Sequence, residues 1–590
     1  MGNSLNVEIS GSATGSTISP RLLGGEYLGW TGFPGWKTQA EDIGISHMRW
    51  PGGIVAEDRM EADGYAYDLS EPNVTDNWPL WNGNPRPGLS EMFEYSVQEN
   101  LSFSMIIPTA RYVEAMFVDE AAALEWLRQD LNDFTTRLFN GEFGDVPAEF
   151  SLEIGAEYYS TDFWEANAFD PRTIEYFSQV FAEAVAVLDQ AEQTYGANLY
   201  NVFVQTGRFQ SNDDTQTVRN GESDDSLVFL QAYEDRGVLD AIDGVIWHRY
   251  VYTFDQINDH LSLDGGGNEE TLLEHLALWE SAIGTPLQTM VSWAAPDIDS
   301  TGASESSNFF DYGPRSALDT LQMFSYLSAN GVDIATIYGI DSPWTGAISS
   351  GGTTPEDFQV LFNGEVYSWL TESVIGLTVL DGFLSNQIFV DSENNPIPKD
   401  HINANVFSDE TSNTVAFLSA WDLESVSVGA SIQLPDSHST DFVRVSQIRP
   451  SSDEFDAVGL RVLPEVSVSM EGVEIGKIQD FDVLRAEFLN RPLTEDDLFE
   501  YGSIGAISTG RVVSTLSVED DTHELIDENE DLLVLASEGN DTLTGSAFVD
   551  HIIGGAGSDQ VHGNSGNDLI LGDGVSFSDV EDWLDDDFLF

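Results

Sequence analysis

Short apolar runs alternate with segments of helical spacing from about residue 20 to residue 380. The runs predict strands over 22–29, 46–51, 102–109, 150–155, 201–206, 243–249, 287–292 and 332–339. Helical patterns lie between them, over 118–139 and 172–192 among others. In the second, Ile174, Phe177, Phe181, Ala184, Val185 and Leu188 recur at intervals that put them on one face. Eight strands, each followed by a helix, predict a (β/α)8 TIM barrel. From about 381 to 515 the pattern changes to short alternating strands such as Thr414–Leu418, Ser427–Leu434 and Phe442–Ile448, which predict a β-sandwich. The N-terminal run Leu5–Ile9 precedes the barrel and is expected to join that sandwich.

Near the C-terminus the period changes again. Asp541, Asp550, Asp559 and Asp568 stand nine residues apart, and Leu543, Ile552, Val561 and Ile570 follow them at one offset. Glycines precede the later aspartates: Gly554, Gly555 and Gly557 before Asp559, and Gly563 and Gly566 before Asp568. This is the nonapeptide pattern of a calcium-binding parallel β-roll, in which carbonyls and the aspartate face one cation. It resembles the RTX (repeats-in-toxin) family, over roughly residues 536–574. The resemblance implies calcium as cofactor and passage through type I secretion machinery of a Gram-negative bacterium to the outside or the cell surface. Turns on one side recur every second repeat, so Asp541 is expected beside Asp559 and Asp550 beside Asp568. Phe548 interrupts one turn, where the pattern asks for glycine. The chain therefore divides into a barrel over 1–380, a sandwich over 381–515, an acidic linker over 516–535, a roll over 536–575 and an export signal over 576–590.

Charge narrows the choice of partners. The formal charge is −80, from 102 acidic and 22 basic residues, and Lys37, Lys399 and Lys477 are the only lysines. Such a surface repels nucleic acid and anionic membranes, and it suits a chain that compacts as calcium neutralises it. No cysteine is present, so disulfides, thiolate metal sites and cysteine nucleophiles are excluded. The N-terminus lacks the basic start and apolar run of a signal peptide, and no apolar stretch approaches a membrane span.

The chemistry of a (β/α)8 barrel sits at the C-terminal ends of its strands. The second predicted strand ends in Arg49-Trp50-Pro51-Gly52-Gly53, and the fourth in Glu153-Ile154-Gly155-Ala156-Glu157-Tyr158. The sixth ends in Trp247-His248-Arg249-Tyr250, and the eighth runs to Asp341 and Trp344. Aromatic faces stack on pyranose rings while charged groups bond hydroxyls, so these ends suit a polysaccharide or glycan. Over residues 1–515 the chain resembles the clan A glycoside hydrolases. The resemblance implies a general acid/base at Glu157 and sugar contacts from Arg49, Trp50, Tyr158, His248, Tyr250, Trp293 and Trp344. It also implies a nucleophilic glutamate on the seventh strand.

The chain departs from that family at two positions. Ala156 stands where the family has asparagine, and Ser292, before Trp293, stands at the nucleophile position. Asp297 and Asp341 are the substitute second carboxylates in reach of the sequence pattern. Two readings follow. One is an exported calcium-binding protein whose barrel has lost retaining hydrolysis and binds glycans or self-assembles as a homo-oligomer. The other is an active extracellular glycoside hydrolase using Glu157. A structural reading of Glu157, as the ion-pair partner of Arg49, stands beside both.

Overall fold

The computed structural model describes residues 4–14, 16–28, 32–57, 67–75, 87–158, 170, 172–207, 222–250, 272–294, 314–340, 348–350, 358–360 and 362–384. Beyond these it describes the C-terminal strands and the neighbouring residues Asp409, Asn413 and Asp482. The chain forms two compact units, Ser16–Ile375 and Met1–Gly15 with Gly376–Phe590.

The first unit is a closed barrel of eight parallel strands. With Ser4–Thr14 as β1, the barrel strands are β2 Gly24–Glu26, β3 His47–Trp50, β4 Ser102–Ile107 and β5 Phe150–Ile154. They continue through β6 Asn201–Gln205, β7 Gly244–Tyr250, β8 Gln288–Ala294 and β9 Ile334–Ile337. Pairing of Gly24 with Thr336 closes the ring. All eight coincide with the predicted apolar runs. Phe203, Ile246, Met290 and Ile334 pack as a fully buried cluster from four successive strands. The helix Glu120–Phe139 starts where the Asp119 carboxylate accepts the Ala122 amide at 3.1 Å. The helix Arg172–Tyr195 buries the predicted stripe from Ile174 to Leu188. Each large side chain so buried contributes roughly 1.5–3 kcal/mol.

In the second unit, eleven strands form one sheet. β1 lies between Thr378–Leu384, to which it is antiparallel, and Val428–Gln433, to which it is parallel. The sheet comes back on itself, because Gly472–Ile478 lies against Thr414–Ala420 and Val483–Leu489 from far along the strand order. Further on, two parallel stacks form a roll. One contains Val512–Ser514, Leu532–Leu535, Asp550–Ile553 and Leu569–Leu571; the other contains Thr522–Glu524, Thr542–Thr544 and Gln560–His562. Leu543 pairs with Val561 and Ile552 with Ile570, each 18 residues on, so alternate repeats are neighbours. Thr522–Glu524 and Leu532–Leu535 fall where the sequence predicts a linker. They join the roll through parallel pairing: Leu532–Leu535, an apolar run that the surrounding acidic residues obscure in the sequence, pairs with Asp550–Ile553.

Candidate carbohydrate site at the barrel centre

Arg49 at the end of β3 organises the polar centre of the barrel. Its guanidinium bonds Glu153 of β5 through two contacts, 2.7 Å from Nε and 2.5 Å from Nη2. Nη1 bonds Glu26 of β2 at 2.8 Å. All three side chains have 0% exposure. Water cannot solvate these charges, so the protein's own groups must compensate them. Burial opposes the cation on Arg49, yet the Glu153 and Glu26 carboxylates overrule it and raise its pKa. Burial likewise pushes Glu153 up, but Arg49 and His248 reverse that and hold it below the ordinary carboxylate range.

Glu26 differs. Burial is its largest influence and leaves its pKa raised despite Arg49, Ser292, His248 and Thr336. Oε1 accepts from Ser292 at 2.5 Å and from Thr336 at 2.8 Å, whereas Oε2 is buried with no hydrogen-bond partner among the described residues. Ser292, the residue at the expected nucleophile position, is fully buried and spends its hydroxyl on this carboxylate.

His248 of β7 joins this network to the rim. Its Nε2 lies 3.2 Å from Gln205 Nε2 and 3.8 Å from Glu153, and its Nδ1 lies 3.1 Å from Glu157 Oε1. The last contact is within ion-pairing distance but is not aligned as a hydrogen bond. Burial disfavours the imidazolium, but the Glu153 and Glu157 carboxylates outweigh it and raise the pKa. Glu157 sits in the left-handed region at φ 43°, and of the three carboxylates it alone retains exposure, 4%. The reading of Glu157 as the partner of Arg49 is therefore corrected: Glu153 and Glu26 take the guanidinium, because both project from strands into the barrel beside it.

The other predicted residues divide. Trp50 is buried edge-on against Tyr67 at 5.3 Å, and Trp293 is 2% exposed. Tyr158 is buried among Phe177, Phe181 and Phe229, and its hydroxyl donates to Asp225 at 2.9 Å. These three rings support the strand ends from within. Asp297, Asp341, Trp344 and the Tyr250 side chain lie outside the described residues, as do Asp541, Gly554, Gly555, Gly557, Asp559, Gly563, Gly566 and Asp568. Asp550 opens its strand in the roll. Glu26, Glu153 and Gln205 are site residues that sequence patterning missed. Their signal is a charged or amide side chain at or next to the end of a short strand, as in Leu152-Glu153-Ile154.

The chain thus folds as a closed eight-stranded parallel barrel with carboxylates, arginine and histidine at its strand ends, and solved glycoside hydrolases are similar to it in fold. An arabinofuranosidase structure matches at TM-score 0.52 and 12% identity, over 82% of this chain and 100% of that one. An alpha-L-arabinofuranosidase from Thermotoga maritima, in complex with arabinose, matches at TM-score 0.51 with the same identity and coverage. No curated protein matches. The particular signature is at the C-terminus: residues 535–570 match four copies of the RTX calcium-binding nonapeptide repeat. The repeats are calcium-binding, and the strands between their turns pair 18 residues on, two repeats apart.

Proposed function

We propose that the chain is an exported, calcium-dependent protein whose barrel binds carbohydrate and does not hydrolyse it by the retaining route. The observation that carries this reading is the Ser292–Glu26 pair. Retaining hydrolysis needs two carboxylates about 5–5.5 Å apart across an accessible glycosidic bond. Here the strand-end position for the nucleophile holds a serine, and the carboxylate bonded to it, Glu26, is fully buried and committed to Arg49, Ser292 and Thr336. Among the described residues the serine's one carboxylate partner is already engaged with a guanidinium and is not free to act as its base. Glu157 and His248, side by side at the strand ends, offer acceptor and donor atoms of the kind that bond sugar hydroxyls. The repeats support export by a type I route, and the acidic surface fits a chain that folds as it meets external calcium.

The test is calorimetric titration of the full chain, in calcium, with arabinose-, xylose- and glucose-based oligosaccharides. Pentose glycans come first because the Thermotoga maritima relative was solved with arabinose. The reading expects binding without turnover, weakened at least about tenfold by Glu157→Gln, the scale of one charged hydrogen bond. Turnover of any of these glycans that Glu157→Gln abolishes favours the second reading, an active hydrolase. One observation supports that second reading: Glu157 is held in a left-handed conformation, and such strain concentrates at active sites.

A further inference from the structure

We propose that Glu57 is the positioning residue for Glu157, an inference that rests on the carbohydrate-site reading above. Glu57 follows the turn Gly53–Ala56, directly after the Arg49–Gly53 strand end, and is 2% exposed. Its carboxylate gathers donors from two other strand ends. From the end of β4 it accepts the Thr109 amide at 2.9 and 2.7 Å, the Thr109 hydroxyl at 2.8 Å and the Ala110 amide at 2.7 Å. From the end of β5 it accepts the Ala156 amide at 3.3 Å.

Ala156 is the residue before Glu157, and it lies between two left-handed positions, Gly155 at φ 72° and Glu157 at φ 43°. A non-glycine residue in that region costs about 1–3 kcal/mol and persists only where its surroundings over-determine it. Three restraints do so here. Gly155 donates to the Ile107 carbonyl at 3.0 Å, and its neighbour Phe181 leaves no room for a side chain at 155. Ala156 packs against Ala56 and Ile106, and its amide is held by Glu57. Of these, Glu57 is the one that ties the turn to the Arg49 strand end by a hydrogen bond, beside the apolar contact of Ala56. The resulting backbone places Oε1 of Glu157 3.1 Å from His248 Nδ1.

Carboxylate chemistry is needed for this grip. Ionised glutamate accepts at both oxygens, whereas glutamine turns an NH2 toward amides that are themselves donors. Glu57→Gln therefore keeps the size of the side chain and breaks the clamp. Once released, the turn relaxes toward ordinary backbone angles and Glu157 withdraws from His248. The imidazole then keeps its Glu153, Gln205, Arg49 and Glu26 neighbours but loses one carboxylate.

The experiment is an NMR pH titration of His248 in the histidine-labelled full chain with calcium, assigned through His248→Gln. Four variants are compared with the parent: Glu157→Gln, Glu57→Gln, Thr109→Val and the control Glu183→Gln. Glu183 is a carboxylate tied to Arg128 and Arg236 on the outer helices, away from this network. The expected result is that His248 titrates lower in Glu157→Gln and falls to nearly the same value in Glu57→Gln. Thr109→Val, which deletes a single donor, moves it the same way by less and serves if Glu57→Gln does not fold. The control leaves it in place. A His248 titration that Glu57→Gln and Thr109→Val leave at the parent value overturns the inference, whether or not Glu157→Gln moves it. This readout needs no sugar. A lowered titration in Glu57→Gln, with no carbohydrate bound by the parent, supports the positioning role and sinks the binding reading.

Discussion

Replacing Arg49 by methionine removes the charge at the barrel centre while keeping an unbranched side chain in its place. The guanidinium makes contacts of 2.7 and 2.5 Å to Glu153 and 2.8 Å to Glu26, all at 0% exposure. Without it, two buried carboxylates face each other's field with no cation between them. Stranding one partner of a buried pair costs about 3–5 kcal/mol. The loss is capped, because a stranded carboxylate can take up a proton instead. Neutralising an ordinary glutamate at pH 7 costs about 3.7 kcal/mol, and at pH 5 about 1 kcal/mol. Glu26 needs less than that, since its pKa is already raised. The variant should therefore lose about 3–4 kcal/mol at pH 7, and the loss should shrink by up to roughly 3 kcal/mol at pH 5. Denaturant unfolding followed by tryptophan fluorescence reads the barrel, where Trp50, Trp247 and Trp293 are buried. A loss below about 1 kcal/mol at pH 7, or one that is the same at both pH values, refutes the reasoning.

Two further predictions concern regions away from the centre. Chelating calcium should unfold the roll while the barrel transition persists, because the repeats alone carry the family's calcium pattern. Hydrogen exchange measures it: unchanged protection of Leu532–Leu535 and Asp550–Ile553 on chelation would contradict the assignment. Glu192 is pushed up to about 7, by burial first and then by the charge of Asp243. A raised carboxylate stabilises the fold below its unfolded pKa, and that stabilisation fades as pH rises through the folded value. Glu192→Gln should accordingly raise the barrel's melting temperature at pH 8 and leave it nearly unchanged at pH 4; equal effects at both contradict the shift.

The eight barrel strands were legible because each is an apolar run set off by helical spacing on both sides. Arg49, Glu157 and His248 were legible as polar residues at the ends of those runs. Their pairing was not, since barrel closure decides it: β2 and β5 are not neighbours in the ring, yet Glu26 and Glu153 meet on one guanidinium. A single glutamate inside an apolar strand breaks no period and reads as noise. Glu57 carried even less signal, because its partners are backbone amides, which every sequence has. In the roll, the exact nine-residue ladder exposed the later coils. The first coil stayed hidden, since Val512 pairs with Leu533 and His523 with Leu543, at longer intervals than the 18 residues of the repeats.

The central claim is that no carboxylate of this barrel forms a bond to sugar. A retaining glycosidase forms a covalent glycosyl intermediate, which 2-fluoro sugars bearing a good leaving group trap on the protein. Intact-mass spectrometry of the calcium-loaded chain, incubated with activated 2-fluoro arabinosides, xylosides and glucosides, reads this directly. The account predicts an unchanged mass with every reagent. A mass gain of one fluorosugar, mapped by peptide sequencing to Glu26 or to any other carboxylate of the barrel, contradicts it.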